Sequence, residues 1–152
     1  MKSKTVELFP FDNFRGKQQQ VIEAIIEAFY VEGYDTVILD APTGTGKSAM
    51  LTTVLRYADD GYYTTPQVSL RDQLHNEEAY DNILFDLKAR KDYTCKITGE
   101  NCRDCDINTS SEQSCAEQGP KCTHYSRKRT VMAAYLALIT FSLLIVDGNI
   151  PE

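Results

Sequence analysis

Two groups of residues in this chain have the types and spacing to do chemistry. The first is Ala41-Pro42-Thr43-Gly44-Thr45-Gly46-Lys47-Ser48. Gly44 and Gly46 let the backbone curl so that successive N–H groups face an anion. The lysine would meet the β- and γ-phosphates of a nucleotide, and the serine hydroxyl would meet Mg2+. Lys47 and Ser48 are therefore the expected catalytic pair of an ATP site. Thr43, Gly44, Thr45 and Gly46 are expected to complete its phosphate cradle. The second group is Cys95, Cys102, Cys105, Cys115 and Cys122, which are all the cysteines of the chain. A disulfide framework spreads its cysteines to staple distant loops and belongs to secreted chains. These are clustered, and residues 1–11 lack the apolar core of a signal peptide. The reading is a thiolate metal site in a protein of the reducing cytoplasm. Four thiolates suffice for zinc or for an iron–sulfur cluster, and spacing alone does not separate the two.

The elements around these residues must position them. Residues 18–30 carry Val21, Ile25 and Phe29 at helical spacing, with Ile22 and Ile26 beside them. Residues 36–39, Thr-Val-Ile-Leu, read as a buried parallel strand running into the phosphate loop. Residues 47–58 form the helix that leaves the loop, and its N-terminus adds a partial positive charge facing the phosphates. Residues 62–65 are a second strand, and 69–74 begin another helix. Residues 76–90 continue in helix-friendly types. The apolar run 131–146 is shorter than a membrane span requires and contains Tyr135, Thr140 and Ser142. It is expected to be a buried helix followed by a core strand, so no membrane partner is expected. This order predicts an α/β fold with a mainly parallel sheet. The net charge of -6 excludes a uniformly basic nucleic-acid binder but not a local basic patch.

The phosphate loop departs from G-x-x-x-x-G-K-[ST] at its first position, Ala41. The variant A-x-x-G-x-G-K-[ST] resembles motif I of superfamily-two helicases. Upstream, Phe14-Arg15-Gly16-Lys17-Gln18 is similar to the aromatic–Arg–x–x–Gln stretch of such helicases, which implies that Gln18 reads the adenine edge. Tyr63-Thr64-Thr65 through Leu70 and Gln73 resembles motif Ia, which touches the backbone of single-stranded DNA and implies contacts from Thr65 and Gln73. The lead-in Leu87-Lys88-Ala89-Arg90-Lys91-Asp92-Tyr93-Thr94-Cys95 and the exit Cys122-Thr123-His124-Tyr125 resemble the cluster domain of XPD/DinG-type helicases. The insertion also falls after motif Ia, where that family places it.

The resemblance covers nearly the whole chain and implies a RecA-like P-loop domain with an inserted cysteine-rich cluster domain. Residues 1–94 would be the first part of the ATP-binding domain, 95–122 the iron–sulfur insertion, and 123–152 the return to the first domain. The implied cofactors are ATP, Mg2+ and a 4Fe–4S cluster. The implied ligands are Cys95, Cys105, Cys115 and Cys122, with Cys102 as the alternative to Cys105. His124 is read as a surface residue and His75 as structural. Lys91, Arg127 and Arg129 flank the cysteines, and bringing the two ends of the insertion together would gather them against a single-stranded or forked DNA.

The implied activity of the parent protein is ATP-dependent DNA unwinding. No acid pair of motif II follows the loop. Residues 142–148 imitate one only as far as Asp147, where Gly148 stands in the place of the glutamate. The chain alone is therefore expected to bind nucleotide and DNA without efficient turnover. The alternative reading is a non-enzymatic nucleic-acid-binding module with a four-cysteine zinc site and a relic P-loop.

Overall fold

The computed structural model of the protein describes residues 2–96, 98–103 and 122–146, apart from the side chains of Lys2, Ser3 and Val146. Cys105, Cys115 and Asp147 lie outside the described residues.

Helices α1 (Lys2–Leu8), α2 (Gln18–Tyr30) and α3 (Lys47–Ala58) come first. The apolar stripes of α2 and α3 meet Phe9, which follows α1, in one cluster of Phe9, Ile22, Ile26, Ala49 and Met50. Arg56 of α3 donates to the Leu8 carbonyl and ties the end of α1 to this pair. Strand β1 (Gly61–Thr65), helix α4 (Val68–His75) and strand β2 (Phe85–Asp86) follow, then helix α5 (Thr123–Ala133), strand β3 (Leu136–Thr140) and helix α6 (Phe141–Val146).

The three strands form one parallel sheet in the order β1-β3-β2. β3 pairs with β1 from Gly61↔Leu136 to Thr65↔Thr140, and with β2 at Phe85↔Ala137 and Asp86↔Leu138. Every residue of β3 is buried. Its alternate side chains serve two cores, as the period of a strand requires. Leu136 and Leu138 join Tyr63, Leu74, Tyr80 and Leu84. Ala137 and Ile139 join Leu87 and Val131. This mixed architecture with a small parallel sheet is compatible with a RecA-like domain.

Three expected elements differ. Residues 36–39 do not form a strand: the segment has no ladder partner among the described residues, and Ile38 is 90% exposed. β-branched residues favour extended backbone, but a strand exists only where a neighbour takes its hydrogen bonds. Residues 76–90 do not continue a helix. Two single 3-10 turns, Glu78–Tyr80 and Arg90–Asp92, flank β2. Asn82 breaks the run in a left-handed conformation with φ 59, and Leu84 and Leu87 turn into the cores on either side of the sheet. The run 131–146 holds the end of α5, then β3, then α6, so the core strand lies in its middle. No helix among the described residues is long and apolar enough to cross a membrane.

Candidate nucleotide site and cysteine knuckle

Gly46 is the residue at which the loop turns into α3, and its φ of +79 is the left-handed conformation that glycine adopts without a Cβ clash. The loop is closed by its own side chains. Lys47 Nζ donates to the carbonyls of Ala41 at 2.7 Å and Pro42 at 3.0 Å, and Thr45 Oγ1 donates to Pro42 at 2.8 Å. Ser48, one residue further, receives the Tyr63 hydroxyl at 3.1 Å. A cleft of about 1000 Å3 opens over the loop and is lined by Phe11, Arg15, Gly44, Lys47, Gln73 and Tyr80, among others. That is the upper size of an ordinary small-ligand pocket.

Gln18 sits beside the loop and lines the same cleft. It is buried at the start of α2. Its Oε1 accepts the Arg15 N–H at 2.8 Å, and its Nε2 donates to the Thr45 carbonyl at 2.8 Å. The amide therefore fastens the first turn of α2 to the phosphate loop. The adenine contact expected of Gln18 would use the remaining N–H and the second lone pair of Oε1.

The same arrangement makes Gly46 sensitive to size. A Cβ there would stand 2.3 Å from Gln18 Nε2. Gly46→Ala is expected to lower stability by about 1–2 kcal/mol from the backbone conformation alone. It should also displace the Gln18 amide and weaken nucleotide binding. Urea midpoints of Gly46→Ala, Gln18→Ala and the double variant separate the two costs, since the cycle subtracts the hydrogen bonds that Gln18→Ala loses by itself. A Gly46→Ala protein with the parent midpoint would mean that Gln18 is not seated against the loop.

The residues expected to meet DNA are placed unequally. Gln73 is exposed on α4 and faces the same cleft as Lys47. Thr65 is buried, and its hydroxyl accepts the Gln67 N–H at 3.3 Å, so it shapes the turn between β1 and α4. Arg71 on α4 is also buried and pairs with Asp72 at 2.7 Å. That hydrogen bond holds the Asp72 carboxyl below its ordinary range, with Arg71 charge, Lys88 and His75 adding to it. Lys91 and Arg129 are exposed. Arg127 is turned inward: its Nε donates to the Asp86 carbonyl at 2.9 Å and its Nη2 to Asp86 Oδ1. Asp86 is buried at the end of β2, and His75 Nδ1 approaches the same carboxylate oxygen at 3.3 Å. Asp86 thus joins α4, β2 and α5, a role with no signal in the sequence.

The cysteine segment begins as a tight knuckle. Thr94 and Asn101 form an antiparallel bridge, Cys95 N donates to Glu100, and Cys102 N donates to the Tyr93 carbonyl at 2.9 Å. Gly99 makes the reversal with φ +74. Cys95 and Cys102 are thereby buried together under Tyr93. Burial pushes the Tyr93 hydroxyl above its ordinary range, although it accepts the Lys88 N–H. The far end of the segment returns to the same place. Thr123 Oγ1 donates to the Thr94 carbonyl at 2.6 Å and lies 3.6 Å from Cys102 Sγ, so buried Cys122 adjoins the knuckle.

His124 corrects the surface reading: it is 3% exposed, with the Tyr93 and Tyr125 rings 5.4 and 5.3 Å away. Cys102 is gathered with Cys95, and its rival Cys105 lies outside the described residues. Among the described residues no group of three or more His, Cys, Asp or Glu is arranged to hold a metal ion.

No curated protein and no solved structure matches the chain. One family model does, over residues 12–147, which include the phosphate loop, α4 and the cysteine segment. On that match the chain belongs to the family described as Type III restriction enzyme, res subunit, an N-terminal domain of superfamily-two helicases.

Proposed function

We propose that this chain is the ATP- and DNA-binding front portion of an ATP-dependent DNA helicase of the XPD/DinG type, with a 4Fe–4S cluster in its cysteine insertion. The observation that carries the reading is that Lys47 of the phosphate loop and Gln73 of the motif Ia-like helix line one cleft. A nucleotide on the first would lie within reach of a strand held by the second. Lys47 supplies charge to the phosphates, Ser48 offers its hydroxyl to Mg2+, and the backbone N–H groups of residues 43–48 cradle the phosphate oxygens. Gln18 keeps that cradle in place through Thr45. Gln73, Lys91 and Arg129 carry the strand contact, while Thr65 and Arg127 act within the fold.

The division into residues 1–94, 95–122 and 123–152 is supported by the hydrogen bond from Thr123 to Thr94, which brings the ends of the insertion together. Cys95, Cys115 and Cys122, with one of Cys102 and Cys105, would supply the four thiolates of a cluster. When bound, the cluster supplies cross-linking rather than catalysis. Bound there, it would tie together a polar segment flanked in sequence by Lys91 and Arg129.

The test is metal content and ligand binding on anaerobically purified protein. Iron with sulfide, a brown colour, and binding of both Mg-ATP and a single-stranded oligonucleotide are the expected results. Stoichiometric zinc without iron, together with no nucleotide binding, would establish the non-enzymatic zinc module instead.

A further inference from the structure

Tyr63 belongs to β1, yet its hydroxyl leaves the core and meets the phosphate loop. The ring is buried among Leu74, Tyr80, Leu136 and Leu138. The oxygen lies 3.1 Å from Ser48 Oγ, in the first turn of α3. A tyrosine held by its ring has little freedom to place its oxygen elsewhere, because two torsions define the side chain and the packing fixes both. The loop's cation-binding hydroxyl is therefore met by a rigid partner from the sheet.

We infer that Tyr63 is a positioning residue for Mg2+ binding, acting through Ser48. The inference rests on the proposed nucleotide site. A serine hydroxyl has one hydrogen and two lone pairs. To face a cation with a lone pair it must point its hydrogen away, towards an acceptor. The Tyr63 oxygen stands where that acceptor is needed. In the structure Tyr63 donates to Ser48. With a cation at Ser48 the pair reverses, so that Ser48 donates to Tyr63 and turns a lone pair to the metal. Only hydroxyl rotation is involved, and no proton changes owner. The sheet strand that leads into α4 thus orients the loop's metal ligand.

The experiment is a nucleotide-binding titration of Tyr63→Phe, repeated over a range of Mg2+ concentrations and once in EDTA. Phenylalanine keeps the ring and removes only the oxygen. The Mg2+ concentration giving half-maximal ATP binding should rise about 2- to 10-fold, the worth of one hydrogen bond. Metal-free nucleotide binding should be unchanged. In a Ser48→Ala background Tyr63→Phe should have no further effect, as a double-mutant cycle requires of a residue acting through another. An unchanged Mg2+ requirement overturns the inference and leaves the nucleotide site standing. Equal weakening with and without Mg2+ also overturns it, since Tyr63 would then only support the loop. If the parent protein binds no nucleotide under any condition, the proposed site itself fails and the inference falls with it.

Discussion

Arg127→Ala is expected to lower the stability of the protein by about 3–5 kcal/mol, the usual cost of removing one partner of a buried ion pair. The reason is Asp86, whose side chain is 3% exposed while that of Arg127 is 32% exposed. Without the guanidinium, the carboxylate would keep only His75, at 3.3 Å, and the Asp86 carbonyl would lose its donor from Arg127. Burying a charge without a matched partner is costly. Asp86→Asn should cost less, because the amide oxygen still accepts a hydrogen bond and the volume is kept. The check is the urea midpoint, with the slope compared between variants. Arg129→Ala is the control. That side chain is exposed, so its loss should change stability by no more than about 0.5 kcal/mol. It should instead reduce the salt dependence of single-stranded DNA binding by about 0.7 in slope. Should Arg127→Ala shift the salt slope and leave the midpoint alone, the inward pairing with Asp86 would be refuted.

Lys47→Ala should weaken Mg-ATP binding by about 30-fold to several thousand-fold. Truncating one member of a charge pair in a binding site costs about 2–5 kcal/mol, and about 1.4 kcal/mol is tenfold. Lys47 Nζ already sits at the mouth of the loop, on the carbonyls of Ala41 and Pro42. A phosphate competes for the same ammonium, and an anion is the stronger partner for it. Lys47→Arg should fail nearly as badly, because a planar guanidinium cannot enter a space shaped for a point charge. Calorimetry on parent and variant proteins measures the effect, and urea unfolding checks that α3 still forms. Equal affinities would remove the phosphate role from Lys47.

Much of the nucleotide site was legible because its causes are local. Positive φ at residues 44 and 46 demands glycine, and the helix that follows has its own periodicity. The helices at 18–30 and 47–58 have the bounds that the apolar spacing predicts, and the strand at 62–65 and helix at 69–74 each differ from theirs by one residue at most at either end. The family match over residues 12–147 agrees with the superfamily-two reading of the loop and does not reach the XPD/DinG type. The cysteines are legible as a group for the same reason, since clustering is a property of the chain itself. Which of them meet is not.

Tertiary structure alone decided the rest, because each decision rests on a partner far away in sequence. Nothing in the sequence near Gln18 shows that its amide donates to the Thr45 carbonyl, 27 residues on. Arg127 reads as a surface cation until Asp86, 41 residues earlier, is buried beneath it. His124 is polar enough for the surface, yet the return of the chain to Thr94 drives it between two tyrosines. Residues 36–39 show the converse. Their composition specifies an extended backbone, but hydrogen-bonded pairing comes from a neighbouring strand, and among the described residues none pairs with them. Residue types and spacing determined that a phosphate loop and a thiol cluster exist. Packing determined which side chains face those sites and which are held beneath them, since burial and pairing belong to neighbours in space.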